Sequence, residues 1–131
     1  MTDLSAFSLE GRTVLVTGAN TGIGQGIAVS AARAGARVLG VGRSSMDETA
    51  GLIDADQFTA IHCDLSDLDS ARKMLGDAWD AHGPIDGLVN NAGIIRRADS
   101  TDHTEEDWDA VLDTNLKSVF RMSRLVMRGM M

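Results

Sequence analysis

The chain has 131 residues, 44% of them hydrophobic, and 12 Lys and Arg against 19 Asp and Glu give a net charge of −7. That length holds one domain at most, and the acidic balance argues against nucleic acid or an anionic membrane as the main partner. No stretch approaches the roughly 18 apolar residues of a membrane span, no signal-like run opens the chain, and the single cysteine, Cys63, leaves no internal disulfide, so a cytoplasmic protein is expected.

Residues 1–11 read as an irregular lead-in, with Phe7 and Leu9 placed to cover the end of the first strand. That strand is Arg12 to Thr17, apolar in Val14, Leu15 and Val16. It runs into Thr17-Gly18-Ala19-Asn20-Thr21-Gly22-Ile23-Gly24, and a helix from Gly22 to Ala34 follows, with Ile23, Ile27, Ala31 and Ala34 on one face and Gly35 as its stop. Glycines between a strand and a helix let the backbone turn tightly and let a phosphate approach it. The helix start adds unpaired N–H groups and a positive dipole end. A β-carbon at Gly24 or a bulky side chain at Gly22 is expected to obstruct such a phosphate. The spacing G-x-x-x-G-x-G is neither G-x-G-x-x-G nor a P-loop, and a tight turn without a ligand is the alternative.

The second strand, Arg37 to Val41, ends in Gly42-Arg43-Ser44, about 19 residues past Gly24. A dinucleotide fold reads the adenosine ribose there. An acid in that slot binds the 2′-hydroxyl of NAD, whereas Arg43 suits the 2′-phosphate of NADP or is an ordinary surface residue. A short helix is read in Met46 to Ile53 and a third strand in Phe58 to His62. Asp64 follows, able to accept from an adenine amino group or to help cap the next helix. Ser66-Asp67-Leu68-Asp69 reads as a capping box, opening a helix with Leu68, Ala71, Leu75 and Ala78 on one face. The fourth strand, Gly87 to Asn90, runs into Asn91-Ala92-Gly93, whose asparagines can tie loops together and whose small residues leave room for a flat ligand. Thr104 to Asp107 is a second capping box. The helical stretch after it is broken near Thr114-Asn115, with Leu116, Val119, Phe120, Ser123, Val126 or Met127, and Met130 in a packing stripe and Lys117, Arg121, Arg124 and Arg128 on a solvated face. His62, His82 and His103 are too scattered for a metal site.

Strands alternating with helices specify an α/β fold, a Rossmann-like doubly wound parallel sheet in the order 3-2-1-4, incomplete, with ligands at the carboxyl ends of the strands. Thr17-Gly18-x-x-x-Gly22-x-Gly24, Asp64-Leu65, Asn90-Asn91-Ala92-Gly93 and Asn115 together resemble the successive signatures of the short-chain dehydrogenase/reductase family. The resemblance runs from Leu9 onward and covers the N-terminal half of a family member. It implies that Gly18, Ile23 and Gly24 line the pyrophosphate, that Asp64 and Leu65 hold the adenine, and that Thr17, Asn20, Gly22, Ala92 and Gly93 also belong to the cofactor site. It places Asn90 beside the cofactor ribose, and gives Asn115 a water in the proton relay.

Gly93-Ile94-Ile95-Arg96-Arg97, Asp107-Trp108-Asp109 and Asn115 to Phe120 are similar to the 2-deoxy-D-gluconate 3-dehydrogenases of that family, which implies a sugar-acid substrate. Arg96 or Arg97 is then a candidate for its carboxylate. This likeness leans to NAD and Arg43 to NADP, so the nucleotide stays open. The family's proton donor is a Tyr-x-x-x-Lys supported by a Ser, yet the chain contains no tyrosine. The expectation is a cofactor-binding N-terminal half of one domain, inactive alone and prone to self-association. The alternatives are a nucleotide- or partner-binding module without chemistry, or a gene remnant.

Overall fold

β1 (Thr13–Thr17) is buried along its whole length, because it has a strand on each side and packed side chains on both faces. A computed structural model describes residues 3–131 and places four parallel strands in the order β3-β2-β1-β4, the order the sequence specifies. Met1 and Thr2 of the expected lead-in lie outside the described residues. β2 (Arg37–Gly42) pairs Val38 with Val14 and Leu39 with Leu15, and β4 (Gly87–Val89) pairs Gly87 with Val14 on the other side. β3 (Phe58–His62) closes the far edge with Phe58 opposite Val38.

Side chains alternate across a strand, so the sheet has two apolar faces. Leu15, Leu39 and Val41 pack on α3 (Leu68–His82) through Ala71, Met74, Leu75 and Ala78, and on α5 (Ser118–Met130) through Met122 and Val126. Val14, Val16 and Val38 pack on α1 (Gly22–Arg33) through Ala28, Ala31 and Ala32. Leu9 joins this second cluster, whereas Phe7, expected to cover the strand end, is exposed.

The buried face of α1 overlaps the expected one in part, sharing the buried Ala31 and the half-buried Ile27. Gly24, Ala28, Ala31 and Ala32 lie inside, while Ile23 is 77% exposed. Small side chains let the helix approach the sheet closely. The larger Ile23 and Ile27 are left to flank a groove of about 610 Å³ shared with Leu9, Val14 and Val89. The helix stops as expected at Gly35, φ +105°, with the N–H groups of Gly35 and Ala36 returning to the carbonyls of Ala32 and Ala31. α2 is a single turn, Asp47–Ala50, shorter than the predicted helix. The cap of α3 sits one residue later than predicted: Asp67 accepts from the N–H groups of Asp69 (3.0 Å) and Ser70 (3.3 Å), while the Ser66 hydroxyl donates to Asp64. At α4 (Glu105–Leu112) Thr104 accepts from the N–H of Asp107 at 3.1 Å, as the second box requires.

The expected break in the terminal helix is a π-helical turn, Asp113–Lys117. Beyond it, Ser118, Met122 and Val126 are buried. A Cβ on Gly129 would lie 2.0 Å from the Trp79 ring, so the indole occupies the space that the glycine leaves. The predicted stripe is split: Val126 is buried and Val119 half-buried, while Leu116, Phe120 and Met127 are 66%, 62% and 54% exposed. Arg121, read as solvated, donates through Nη1 to the carbonyl of Ser66 at 2.9 Å. α5 turns Met122 and Val126 inward and leaves Phe120 and Met127 outside. Met122→Ala should therefore lower stability in urea unfolding by about 2–5 kcal/mol, and Met127→Ala by less than about 0.5 kcal/mol.

Candidate nucleotide site

The carboxyl ends of β1, β2, β3 and β4 open on one cleft of about 150 Å³. Gly18 and Asn20 line it from the β1 end, Gly42 and Arg43 from β2, Asp64 and Leu65 from β3, and Ala92 and Gly93 from β4. Those residues are distant in the chain. Parallel strands with crossover helices bring their ends to one rim.

Three glycines shape the turn for three different reasons. Gly18 has φ +70°, and a Cβ on it would lie 2.9 Å from Cα of Ala92. It must be small so that the β4 loop can pass. A Cβ on Gly24 would lie 2.0 Å from the carbonyl oxygen of Gly18 and 2.4 Å from Nδ2 of Asn91. The obstruction foreseen at Gly24 therefore strikes the turn itself, and this glycine lets α1 sit against the turn. Only Gly22 fits the open-space reading: its φ is +56°, and a Cβ there would meet nothing within 4 Å. Thr21 gives α1 no side-chain cap, so the N–H groups of the first turn stay available for an anion.

The turn is braced from both sides. The Thr17 hydroxyl donates to the carbonyl of Val89 (3.3 Å) and accepts from the N–H groups of Asn91 (3.0 Å) and Ala92 (2.9 Å). Thr17 thus locks the β4 loop to the end of β1. Asn91 donates Nδ2 to the carbonyl of Gly18 at 3.2 Å. On the far side the buried Thr49 of α2 donates to the carbonyl of Ala19 at 2.7 Å, and Gln25 donates to Thr49 at 3.1 Å. Sequence reasoning missed Thr49 and Gln25. No local signal marks a threonine whose partner stands thirty residues away.

Two further asparagines position the β4 loop. Asn90 donates Nδ2 to the Ser123 hydroxyl of α5 at 3.1 Å. Asn115 accepts from the N–H of Ile94 (2.7 Å) and donates to its carbonyl (2.9 Å), gripping that peptide from both sides. The π turn supports this grip. The N–H of Ser118 reaches back to Asp113, and the freed carbonyl of Thr114 accepts from the Ser118 hydroxyl. Asn115 therefore stands within the π turn, with its side chain bonded to the loop.

Charge at the cleft comes from Asp64 and Arg43. The Ser66 hydroxyl (2.7 Å) and N–H (3.0 Å) both donate to Asp64 and hold its carboxyl below the usual carboxylate range, and the Arg43 guanidinium adds to this. Burial pushes the Cys63 thiol up, and Asp64 and Asp67 push it further. Arg96 and Arg97 stand beyond the cleft wall, Arg96 with Nε 3.7 Å from Asp107.

A sequence profile of the short chain dehydrogenase family matches residues 12–131. The chain belongs to the short-chain dehydrogenase/reductase family. Among its relatives, the 2-dehydro-3-deoxy-D-gluconate 5-dehydrogenase of Escherichia coli (strain K12) is 45% identical over 123 residues, covering 92% of this chain and 49% of that one. The 3-oxoacyl-[acyl-carrier-protein] reductase of Vibrio cholerae is 40% identical over 125 residues, 95% of this chain and 51% of its own. A crystal structure of a proposed 2-deoxy-D-gluconate 3-dehydrogenase from Agrobacterium tumefaciens, with bound NADP, superposes with a TM-score of 0.82 at 48% identity, over 95% of this chain and 49% of that one. The chain spans about half the length of the curated relatives it matches. Among the described residues no helix is long and apolar enough to cross a membrane.

In this family member the carboxyls of Asp64 and Asp67 are both lowered, the second chiefly by the Ser70 N–H. Their contribution to stability is complete above the ordinary aspartate value and is lost as pH falls through the lower folded values. Ser66→Ala should raise the Asp64 titration midpoint towards the ordinary value and leave Asp67 low, read by NMR titration of the carboxyl carbons.

Proposed function

We propose that these residues form the cofactor-binding half of an NADP-dependent oxidoreductase that interconverts an alcohol and a ketone on a sugar acid. The observation behind the cofactor is the open cradle at Gly22 beside an uncapped helix start, the one place on the turn where an added β-carbon meets no protein atom. The residues fit the group. In this reading Gly18, Asn20, Gly22, Ile23 and Gly24 form and support the pyrophosphate cradle, with N–H groups supplied at the helix start. Asp64 accepts from the adenine amino group beside Leu65. Asn90, Ala92 and Gly93 border the nicotinamide ribose. Thr17 acts one step back, holding the β4 loop in place.

A bound nicotinamide supplies hydride transfer to or from carbon. The chain's own residues bind and orient. The Thr17 lock and the Asn115 grip fix the β4 loop on which the reacting ring would rest. These 131 residues contain no tyrosine, and the reading assigns them no proton transfer to substrate. Arg43 favours NADP: it ends β2 where NAD-specific folds place an acid, it is exposed, and it forms no ion pair among the described residues. The NADP bound by the Agrobacterium relative supports the same choice. Four relatives at 40–45% identity are named 2-dehydro-3-deoxy-D-gluconate 5-dehydrogenases, and those names support a sugar acid of that class over the acyl substrate in the name of the Vibrio cholerae relative.

Isothermal titration with NADP and NAD tests this. Gly22→Ala adds about 1–2 kcal/mol of left-handed strain and puts a methyl group in the cradle, so both affinities should fall at least about tenfold in a protein that keeps its circular dichroism. Arg43→Ala should cost NADP about 1.5–3 kcal/mol and leave NAD nearly unchanged. Equal losses for both nucleotides would remove the NADP assignment, and unchanged affinity in Gly22→Ala would remove the cradle. Exposed Leu116, Phe120 and Met127, with β4 at a sheet edge, support a self-associating chain. Light scattering should show more than a monomer at micromolar concentration; a monomer would refute it.

A further inference from the structure

Thr49 is fully buried in α2, yet its hydroxyl donates to nothing in its own helix among the described residues. A helical threonine ordinarily returns its proton to the carbonyl four residues back. Here the proton crosses to the glycine turn, shared between the carbonyl oxygens of Ala19 (2.7 Å) and Asn20 (3.2 Å). Gln25 of α1 completes the set. Its Nε2 donates to the Thr49 hydroxyl (3.1 Å) and to the carbonyl of Asn20 (3.3 Å), so both amide protons are used there. Valine has nearly the shape of threonine and would fill the same buried space with no polar group to satisfy. The hydroxyl therefore serves the turn alone.

Pinning those two carbonyls fixes the opposite side of their peptides. A trans peptide is planar with its N–H opposite its C=O, and no cis bond occurs among the described residues. With the carbonyls of Ala19 and Asn20 drawn towards Thr49, the N–H groups of Asn20 and Thr21 turn away from α2. Asn20 lines the cleft and Thr49 does not, so that direction is towards the cleft. Neither N–H donates to another backbone group among the described residues. The two extend the free donors at the uncapped start of α1.

We propose that Thr49 and Gln25 are positioning residues for the nucleotide, holding the turn so that the N–H groups of Asn20 and Thr21 face its phosphates. This rests on the NADP-binding reading and deepens it. Neither side chain lines the cleft, so both act through the peptides they hold. Donors already turned towards an anion need no reorganisation when it arrives. Without the pair, either carbonyl is free to swing into the cleft, where its oxygen repels a phosphate and its own N–H partner is withdrawn.

The test is isothermal titration with NADP, joined to amide proton–nitrogen NMR spectra of the whole chain. Thr49→Val should bind NADP at least about tenfold more weakly, and Thr49→Ser, which keeps the hydroxyl, within about twofold of the parent. Gln25→Leu, at a half-buried position, should weaken NADP several-fold. In the parent, the N–H resonances of Asn20 and Thr21 should move downfield as NADP binds. At saturation that movement should shrink markedly in Thr49→Val and in Gln25→Leu. A role in stability alone lowers the unfolding midpoint and leaves the affinity and these resonances as they are in the parent. Parent-like NADP affinity in Thr49→Val or Gln25→Leu, no recovery in Thr49→Ser, or parent-like movement of the two resonances in the variants each overturns the proposal. If Thr49→Val does not fold, Gln25→Leu decides by the same two readouts. Normal NADP binding by the parent without movement at Asn20 and Thr21 removes this proposal and leaves the cofactor reading standing. Failure of the parent to bind NADP removes both.

Discussion

One hydroxyl group holds the site together. The Thr17 side chain, 2% exposed, bonds to three backbone groups of the chain after β4, at Val89, Asn91 and Ala92. Without it, two N–H groups and a carbonyl beside a buried strand would need other partners, at about 1–3 kcal/mol each. With it, the β4 loop lies against Gly18 closely enough that a β-carbon there would touch Ala92. The cleft exists because these two strand ends are tied at that distance.

The same closeness explains the division of labour among the glycines. Gly24 and Gly18 are small because protein passes over them, and Gly22 is small where nothing passes. Two thirds of the motif thus serves packing between turn, helix and loop, and one third faces an open space. α1 follows the same rule: Gly24, Ala28, Ala31 and Ala32 are its buried residues, with Ile27 packed beside them, which lets the helix start sit directly on the turn.

Electrostatics at the rim are local exceptions in an acidic chain. Asp64 is kept ionised by Ser66 and Arg43, and Arg96 pairs with Asp107. Of the two charged residues lining the cleft, Asp64 is bonded by Ser66 and Arg43 forms no ion pair among the described residues. The terminal helix contributes through its π turn, which presents Asn115 to the peptide of Ile94, while α5 carries Ser123 to Asn90.

The strand order 3-2-1-4, the turn between β1 and α1, the stop at Gly35, the cap at Thr104 and the break near Asn115 were all legible in the sequence. Each depends on local chemistry: alternation of strands and helices, glycine at positive φ, a threonine that caps, a helix that cannot continue regularly. The rim residues were legible for the same reason, since a parallel fold sends every strand end to one side. What lay beyond the sequence was the choice between equivalent faces and long-range partners. Leu116, Phe120 and Met127 have the same helical spacing as a buried stripe, yet they face solvent while Met122 and Val126 turn inward and Trp79 packs against Gly129. Ser66 has the identity of a cap, yet Asp64 takes its hydroxyl and leaves Asp67 to do the capping. Thr49, Asn91 and Ser123 gain their roles from neighbours 30, 73 and 33 residues away. Residue type and spacing determine local conformation, whereas shape complementarity across the sheet decides which side chains are buried and which hold the cleft.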